Sequence, residues 1–140
     1  STILYNKANL TYSMFKKESV GSKEVEEAIN IIQKAIQHFH ETKNRRNWLR
    51  SIELYGKLLV LQKEGKKVLK VFRNYADTIE KIADDRTKML FYLTYADAYQ
   101  LVERGKKARC FLQEAGKIAT RLNLKGELEN IKEKLKTGRY

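Results

Sequence analysis

The chain has 140 residues, 42% of them hydrophobic and 33% charged, and its 29 Lys and Arg against 17 Asp and Glu give a formal net charge of +12. The absence of proline and the presence of only seven glycines exclude collagen-like and linker-rich classes of protein. With a single cysteine, neither an intrachain disulfide nor a cysteine-based zinc cluster can form. We therefore expect one domain over residues 1–140 in a reducing, cytoplasmic compartment. No apolar run approaches the roughly 20 residues of a membrane span, so no membrane partner is expected.

The positive charge is unevenly distributed along the chain. Residues 1–42 carry five basic and five acidic side chains, so the whole net charge of +12 comes from Lys43 onward. Such an asymmetry is typical of a protein with an anionic partner, whether an acidic protein or a nucleic acid. It is equally typical of a solvated surface, and both interpretations stay open.

Apolar residues recur at spacings of three and four, which predicts amphipathic helices rather than strands. The clearest apolar stripes run through residues 25–39, 68–79 and 108–122. Breaks in the pattern fall at Gly21-Ser22, Thr42–Asn44, Glu64-Gly65, Asp84-Asp85, Arg104-Gly105 and Asn123–Gly126. They predict about seven helices joined by short turns, with the Ser22 hydroxyl capping the second helix.

The sequence repeats itself at a fixed offset. Gly65-Lys66-Lys67-Val68 recurs 40 residues later as Gly105-Lys106-Lys107-Ala108, and the same offset relates Ile32 to Phe72 and Phe72 to Leu112. One unit is then a pair of helices, with units at about 1–42, 45–84 and 86–122 and a capping helix at about 126–137. A period of this length is typical of a helical solenoid.

At these positions the chain resembles the tetratricopeptide repeat family. The matching residues of the second and third units are Ile52, Tyr55-Gly56, Leu59, Val68, Phe72 and Tyr75, and Tyr92, Tyr95-Ala96, Tyr99, Ala108, Leu112 and Ala115. The first unit matches more weakly, at Leu4, Lys7-Ala8, Thr11, Ala28, Ile32 and Ala35. The proline that commonly ends a unit is replaced by His40, Glu80 and Thr120, and the units are of a long type, about 40 residues each. The resemblance implies an all-α fold: a right-handed α-solenoid of three helix hairpins plus a C-terminal capping helix.

The resemblance also implies a function. In this family the first helices of the hairpins line a concave groove that takes an extended peptide or a helix, so the implied role is a non-catalytic protein–protein interaction module, an adaptor or a peptide sensor. The corresponding groove positions are Tyr5, Asn9, Tyr12, Arg50, Glu53, Lys57, Leu93, Asp97 and Gln100. The lysine that receptors of chaperone tails carry at the first of these positions is replaced by Tyr5, which argues against that subclass.

Two other partner classes stay open. A set of basic residues on the second helices and turns favours phosphate contacts, and hence a nucleic-acid-binding repeat domain as the alternative function. These residues are Lys66, Lys67, Lys70, Arg73, Lys106, Lys107 and Arg109. Self-association through the C-terminal helix is the other alternative, because Leu128, Ile131 and Leu135 could cap the stack or meet a second copy.

The histidines and the cysteine are not spaced as they are in catalytic or metal-binding sites. His38 and His40 are two positions apart, so on a helix they point away from each other rather than toward a shared metal ion. Cys110 has no histidine near it in sequence, and we expect a structural or incidental thiol. Tyr92 and Tyr95 fall on packing positions of the repeat, and Trp48 is expected to cover the joint between the first two units. The sequence thus predicts no catalytic residue, cofactor or metal.

Overall fold

The computed structural model describes residues 2–16 and 21–137, and the described residues form helices joined by short turns. In chain order the helices are α1 Thr2–Lys16, α2 Ser22–Glu41, α3 Arg45–Leu61, α4 Gly65–Ile82, α5 Asp85–Leu101, α6 Gly105–Arg121 and α7 Lys125–Thr137. The prediction of an all-helical chain with seven helices is therefore confirmed for this part of the sequence. No helix within it has the length and apolar character needed to span a bilayer.

The helices follow a regular period. From α3 to α7, each helix begins 20 residues after the start of the one before it. Left-handed residues lie just beyond four helix ends, at Lys43, Lys63, Glu103 and Asn123, with φ between 57° and 62°. After α5, the Arg104 N–H donates to the Tyr99 carbonyl at 2.8 Å and the Glu103 N–H donates to the Gln100 carbonyl at 3.1 Å. This arrangement satisfies carbonyls that the helix end would leave unpaired, and it normally uses glycine at the left-handed position.

The helix starts are set by local hydrogen bonds. The Asp84 carboxylate accepts from the Thr87 N–H at 2.8 Å and caps α5, a contact worth about 1 kcal/mol. The prediction that Ser22 caps α2 is wrong. The cap is Gly21, whose N–H donates to the Glu24 carboxylate at 3.0 Å, and Ser22 is already the first helical residue. Because Glu24 reaches back to Gly21, the chain enters the helix one residue earlier than the hydroxyl pattern indicates.

The described residues fall into two compact units, one ending at Lys63 and the other beginning at Glu64. In the first unit α2 packs against both α1 and α3, and α1 also contacts α3. The face of α2 in the core carries Val25, Ala28, Ile29, Ile32, Ala35 and Phe39, all buried. Their spacing of three and four residues turns one side of α2 inward. Each large side chain removed from water in this way contributes about 1.5–3 kcal/mol.

In the second unit α5 packs against α4 and α6, and α6 packs against α7. Much of the core is formed by Met89, Ala96, Ala108, Leu112, Ala115, Ile118, Ala119 and Ile131. Because α5 has neighbours on two sides, its apolar and aromatic residues are not confined to one narrow stripe. The aromatic residues of α5 that lie outside the centre of this core form much of the site described below.

Candidate functional site

One cluster of polar and aromatic side chains lies on α1 and α3 in the first unit, and we call it the α1–α3 face. Its members are Tyr5, Asn9 and Tyr12 of α1 and Arg50, Glu53 and Lys57 of α3. The Lys57 ammonium lies 4.9 Å from the centre of the Tyr12 ring and 3.6 Å from a Glu53 carboxylate oxygen. The Glu53 side chain is only 5% exposed, so its charge depends on such a partner. Lys57 is thus held between a buried carboxylate and an aromatic ring.

Tyr5 belongs to the same surroundings. Burial, followed by the nearby Glu53 carboxylate, raises the pKa of Tyr5 above its ordinary value of 10.0, whereas the Arg50 guanidinium acts in the opposite direction. Asn9 is exposed and lies between Tyr5 and Tyr12 on the same side of α1, at helical spacings of four and three. The residues that the resemblance implies for the first two hairpins therefore meet on one surface of the first unit.

The three predicted groove residues of α5 lie in the second unit. Leu93, Asp97 and Gln100 are spaced by four and three, so they share one side of the helix. Leu93 packs against the core of this unit, Asp97 is half-buried and Gln100 is exposed. The resemblance assigned all three residues to the same groove-facing role, so it did not anticipate these different degrees of burial.

A groove of about 310 Å³ lies between α4, α5 and α6, and we call it the aromatic groove. The residues that give it its character are Arg73 and Glu80 of α4, Tyr92, Tyr95 and Tyr99 of α5, and Phe111 of α6. The Phe111 ring lies nearly parallel to Tyr95, at 4.6 Å between ring centres, and to Tyr99, at 5.6 Å. The sequence assigned the tyrosines to packing. They do pack against Phe111, and they also line an open surface.

At the aromatic groove, a tyrosine hydroxyl and a lysine ammonium both contact the same carboxylate. The Tyr92 hydroxyl donates to a Glu80 carboxylate oxygen at 2.8 Å, and the Lys88 ammonium lies 4.0 Å from the other oxygen. Burial first, then this hydrogen bond, raises the pKa of Tyr92 to about 12. Lys107 does not line the aromatic groove itself, but its ammonium lies 5.4 Å from the centre of the ring of Tyr99, which does.

The predicted basic surface is found in the second unit, and its members have different surroundings. Lys66, Lys67, Lys70, Arg73, Lys106, Lys107 and Arg109 are all exposed. Arg73 lines the aromatic groove and Lys107 lies over Tyr99. Lys106 and Arg109 line another cavity, of about 230 Å³, together with Lys134 of α7. The Arg109 guanidinium there donates to the Leu135 carbonyl at 3.1 Å, so this residue also connects α6 to α7.

The apolar residues of α7 are used within the second unit. Ile131 is 2% exposed, and Leu128 and Leu135 pack against the same core. Self-association through this helix stays a prediction, although its main apolar side chains already have neighbours in their own unit.

The residues that the sequence set aside as non-catalytic are at the surface. His38, His40 and Cys110 are exposed, and the His40 ring lies 5.2 Å from the half-buried Trp48 ring. Among residues 2–16 and 21–137, no group of three or more His, Cys, Asp or Glu side chains could hold a metal ion.

Comparison of the chain with protein-family models, with curated proteins and with solved structures found no match. Its function is therefore inferred from its own residues and their geometry.

Proposed function

We propose that this chain is a non-catalytic protein-interaction module that binds a peptide or a helix on the α1–α3 face. We further propose that its helix pairs are tetratricopeptide-like, forming a right-handed solenoid of three hairpins with α7 as the capping helix. The helix starts at intervals of 20 residues support the repeat.

The observation that carries the binding proposal is the fixed position of Lys57 between Glu53 and Tyr12. Side chains already held in one geometry lose little conformational entropy when a ligand binds. An oriented ammonium can pair with a carboxylate or a backbone carbonyl of a peptide, and the Tyr5 and Tyr12 rings offer apolar surface beside it. The exposed Asn9 amide supplies both a donor and an acceptor for peptide backbone on the same side of α1.

Selection from a library of random displayed peptides tests this proposal. Peptides enriched on the unmodified chain are then titrated against the double variant Asn9→Ala/Lys57→Gln by fluorescence anisotropy. We expect the double variant to bind at least tenfold more weakly, a loss of about 1.4 kcal/mol. Lys34→Gln, which changes an exposed lysine of α2, is the matched control and should leave binding unchanged. Thermal melting by circular dichroism establishes that each variant remains folded. Equal binding by the double variant and the unmodified chain would remove the α1–α3 face as the site.

Nucleic-acid binding is the second candidate, and the exposure of all seven predicted basic residues favours it. A mobility-shift titration with RNA and DNA at two salt concentrations separates the two functions. Contacts made only by surface cations should be lost at moderate salt. Retention of nucleic acid at that salt concentration would favour the second candidate over peptide binding.

A further inference from the structure

The walls of the aromatic groove are aromatic rings that pack against one another. Phe111 lies at interplanar angles of 12° and 14° to Tyr95 and Tyr99, and the Phe72 ring meets Tyr95 edge-on at 5.1 Å. Each ring is thus oriented by another ring, and such pairs contribute about 0.5–1.5 kcal/mol beyond the area that they bury. Tyrosine surfaces of this kind bind apolar side chains with little entropic cost, because few torsions have to be frozen.

The aromatic groove has more cationic side chains at it than carboxylates available to pair with them. Glu80 is engaged by the Tyr92 hydroxyl and by Lys88. Arg73 and Lys107, in contrast, form no salt bridge with any carboxylate of the described residues. Arg73 lines the aromatic groove and Lys107 lies over the ring of Tyr99, one of its lining residues, so acidic side chains of a bound ligand would have these two cations to pair with.

The aromatic groove is small, and the faces of two of its rings are already covered, which disfavours base stacking. Its volume of about 310 Å³ is at the lower limit of the range for ligand sites, roughly 300–1,000 Å³. Stacking of bases requires ring faces that are open to the ligand. Here Phe111 covers a face of both Tyr95 and Tyr99, and Lys107 lies over the Tyr99 ring.

We propose that the aromatic groove is a second docking site, which receives one large apolar side chain of a partner protein's acidic segment while carboxylates of that segment pair with Arg73 and with Lys107. This site is separate from the α1–α3 face and does not depend on the function proposed for it. Its occupant is a peptide segment that combines an apolar anchor with acidic residues on either side.

Three capped synthetic hexapeptides test the chemistry of the occupant. The first is acetyl-Glu-Asp-Trp-Leu-Asp-Glu-amide, the second replaces its acidic residues by lysine and arginine, and the third replaces Trp-Leu by Ser-Ser. Each is titrated into the full chain with labelled tyrosine rings, and the ring signals are followed by nuclear magnetic resonance. We expect the first peptide to shift the Tyr92, Tyr95 and Tyr99 signals and to bind at least tenfold more tightly than either of the others.

Charge-reversal variants identify the place of binding. Arg73→Glu/Lys107→Glu should weaken the binding of the first peptide at least tenfold. Lys67→Glu/Lys106→Glu makes the same change in net charge on the same two helices, at residues that neither line the aromatic groove nor lie over one of its rings, and should alter the affinity less than threefold. All four positions are exposed, so both double variants should keep the fold.

Several outcomes would overturn the proposal. An equal effect of the two double variants would mean that the acidic peptide responds to net charge alone. Absence of shifts in the three tyrosine signals would exclude the aromatic groove as its site. Shifts caused by oligouridine but not by the acidic peptide would assign the groove to nucleic acid. Shifts that depend on protein concentration without any peptide would assign it to a second copy of the chain. None of these outcomes involves Asn9 or Lys57, so the test of the α1–α3 face stands independently.

Discussion

Two glycines at equivalent places in the repeat have opposite surroundings. Gly65 and Gly105 each begin a helix with the same Gly-Lys-Lys sequence. A methyl group added at Gly65 would lie 2.8 Å from the Ala98 carbonyl oxygen and 2.9 Å from the Leu101 Cβ, whereas one added at Gly105 would have no such neighbour within 4 Å. We predict that Gly65→Ala destabilises the protein and that Gly105→Ala does not.

The magnitude follows from two opposing contributions. Replacing glycine by alanine in a helix stabilises by roughly 0.5–1 kcal/mol, because the unfolded chain loses freedom and the helix gains a better former. At Gly65 a backbone oxygen is among the atoms that would be crowded, so α4 and α5 must separate, and overpacking of this kind costs about 1–3 kcal/mol. The two contributions together give a net loss of up to about 2.5 kcal/mol for Gly65→Ala, whereas Gly105→Ala, without the crowding, should gain about 0.5 kcal/mol.

Urea unfolding followed by circular dichroism measures both changes, with thermal melting as a second readout. A loss of 1 kcal/mol in a unit of this size lowers the melting temperature by about 4–8 °C. Gly105→Ala is the matched control, since it makes the same substitution at the first residue of a helix, where no other atoms lie within 4 Å of the added methyl group. If Gly65→Ala were as stable as the unmodified chain, the close approach of α4 and α5 would not be a real constraint.

The remaining predictions concern the ends of α5 and α6 and the aromatic groove. Glu103→Gly should raise the free energy of unfolding by about 1 kcal/mol, because Glu103 has φ 60° and glycine adopts that conformation without strain. Asn123→Gly, at φ 57°, should gain less, because asparagine already tolerates this conformation, and equal gains in urea unfolding would contradict the explanation. The raised pKa of Tyr92, about 12 against an ordinary 10.0, means that the folded state favours the neutral phenol. Its contribution to stability is present below pH 10 and is lost as the pH rises through about 12, so Tyr92→Phe should unfold with a weaker pH dependence in that window. Identical pH dependence in the two proteins, measured by urea unfolding at several alkaline pH values, would show that Tyr92 contributes nothing to it.

The helices could be predicted from the sequence because the features that indicate a helix lie close together in the chain. The buried face of α2, from Val25 to Phe39, repeats at the spacing of the helix itself, so no knowledge of distant contacts is needed to recognise it. The breaks at Glu64-Gly65 and Arg104-Gly105 mark helix starts for the same reason. The capping prediction at Ser22 failed because two local signals competed, and the Glu24 carboxylate paired with Gly21.

The candidate sites could be predicted from the sequence only in part. Helical spacing alone aligns Tyr5, Asn9 and Tyr12, but the burial of Glu53 and its contact with Lys57 depend on packing between helices. The aromatic groove gave no recognisable signal, because a tyrosine at a repeat packing position has the same sequence pattern whether its ring is enclosed or lines a surface. A prediction of this site would require the position of Phe111 relative to α5.

The sequence by itself determined the helices and their order, since helix formation follows from the periodic placement of apolar residues and from breaks a few residues long. Tertiary structure alone decided which of two identical Gly-Lys-Lys starts is crowded, which lysine is held by a buried carboxylate, and which tyrosines line a groove. Each of these properties depends on atoms that another helix brings within a few ångströms, and residues near in sequence do not specify that approach.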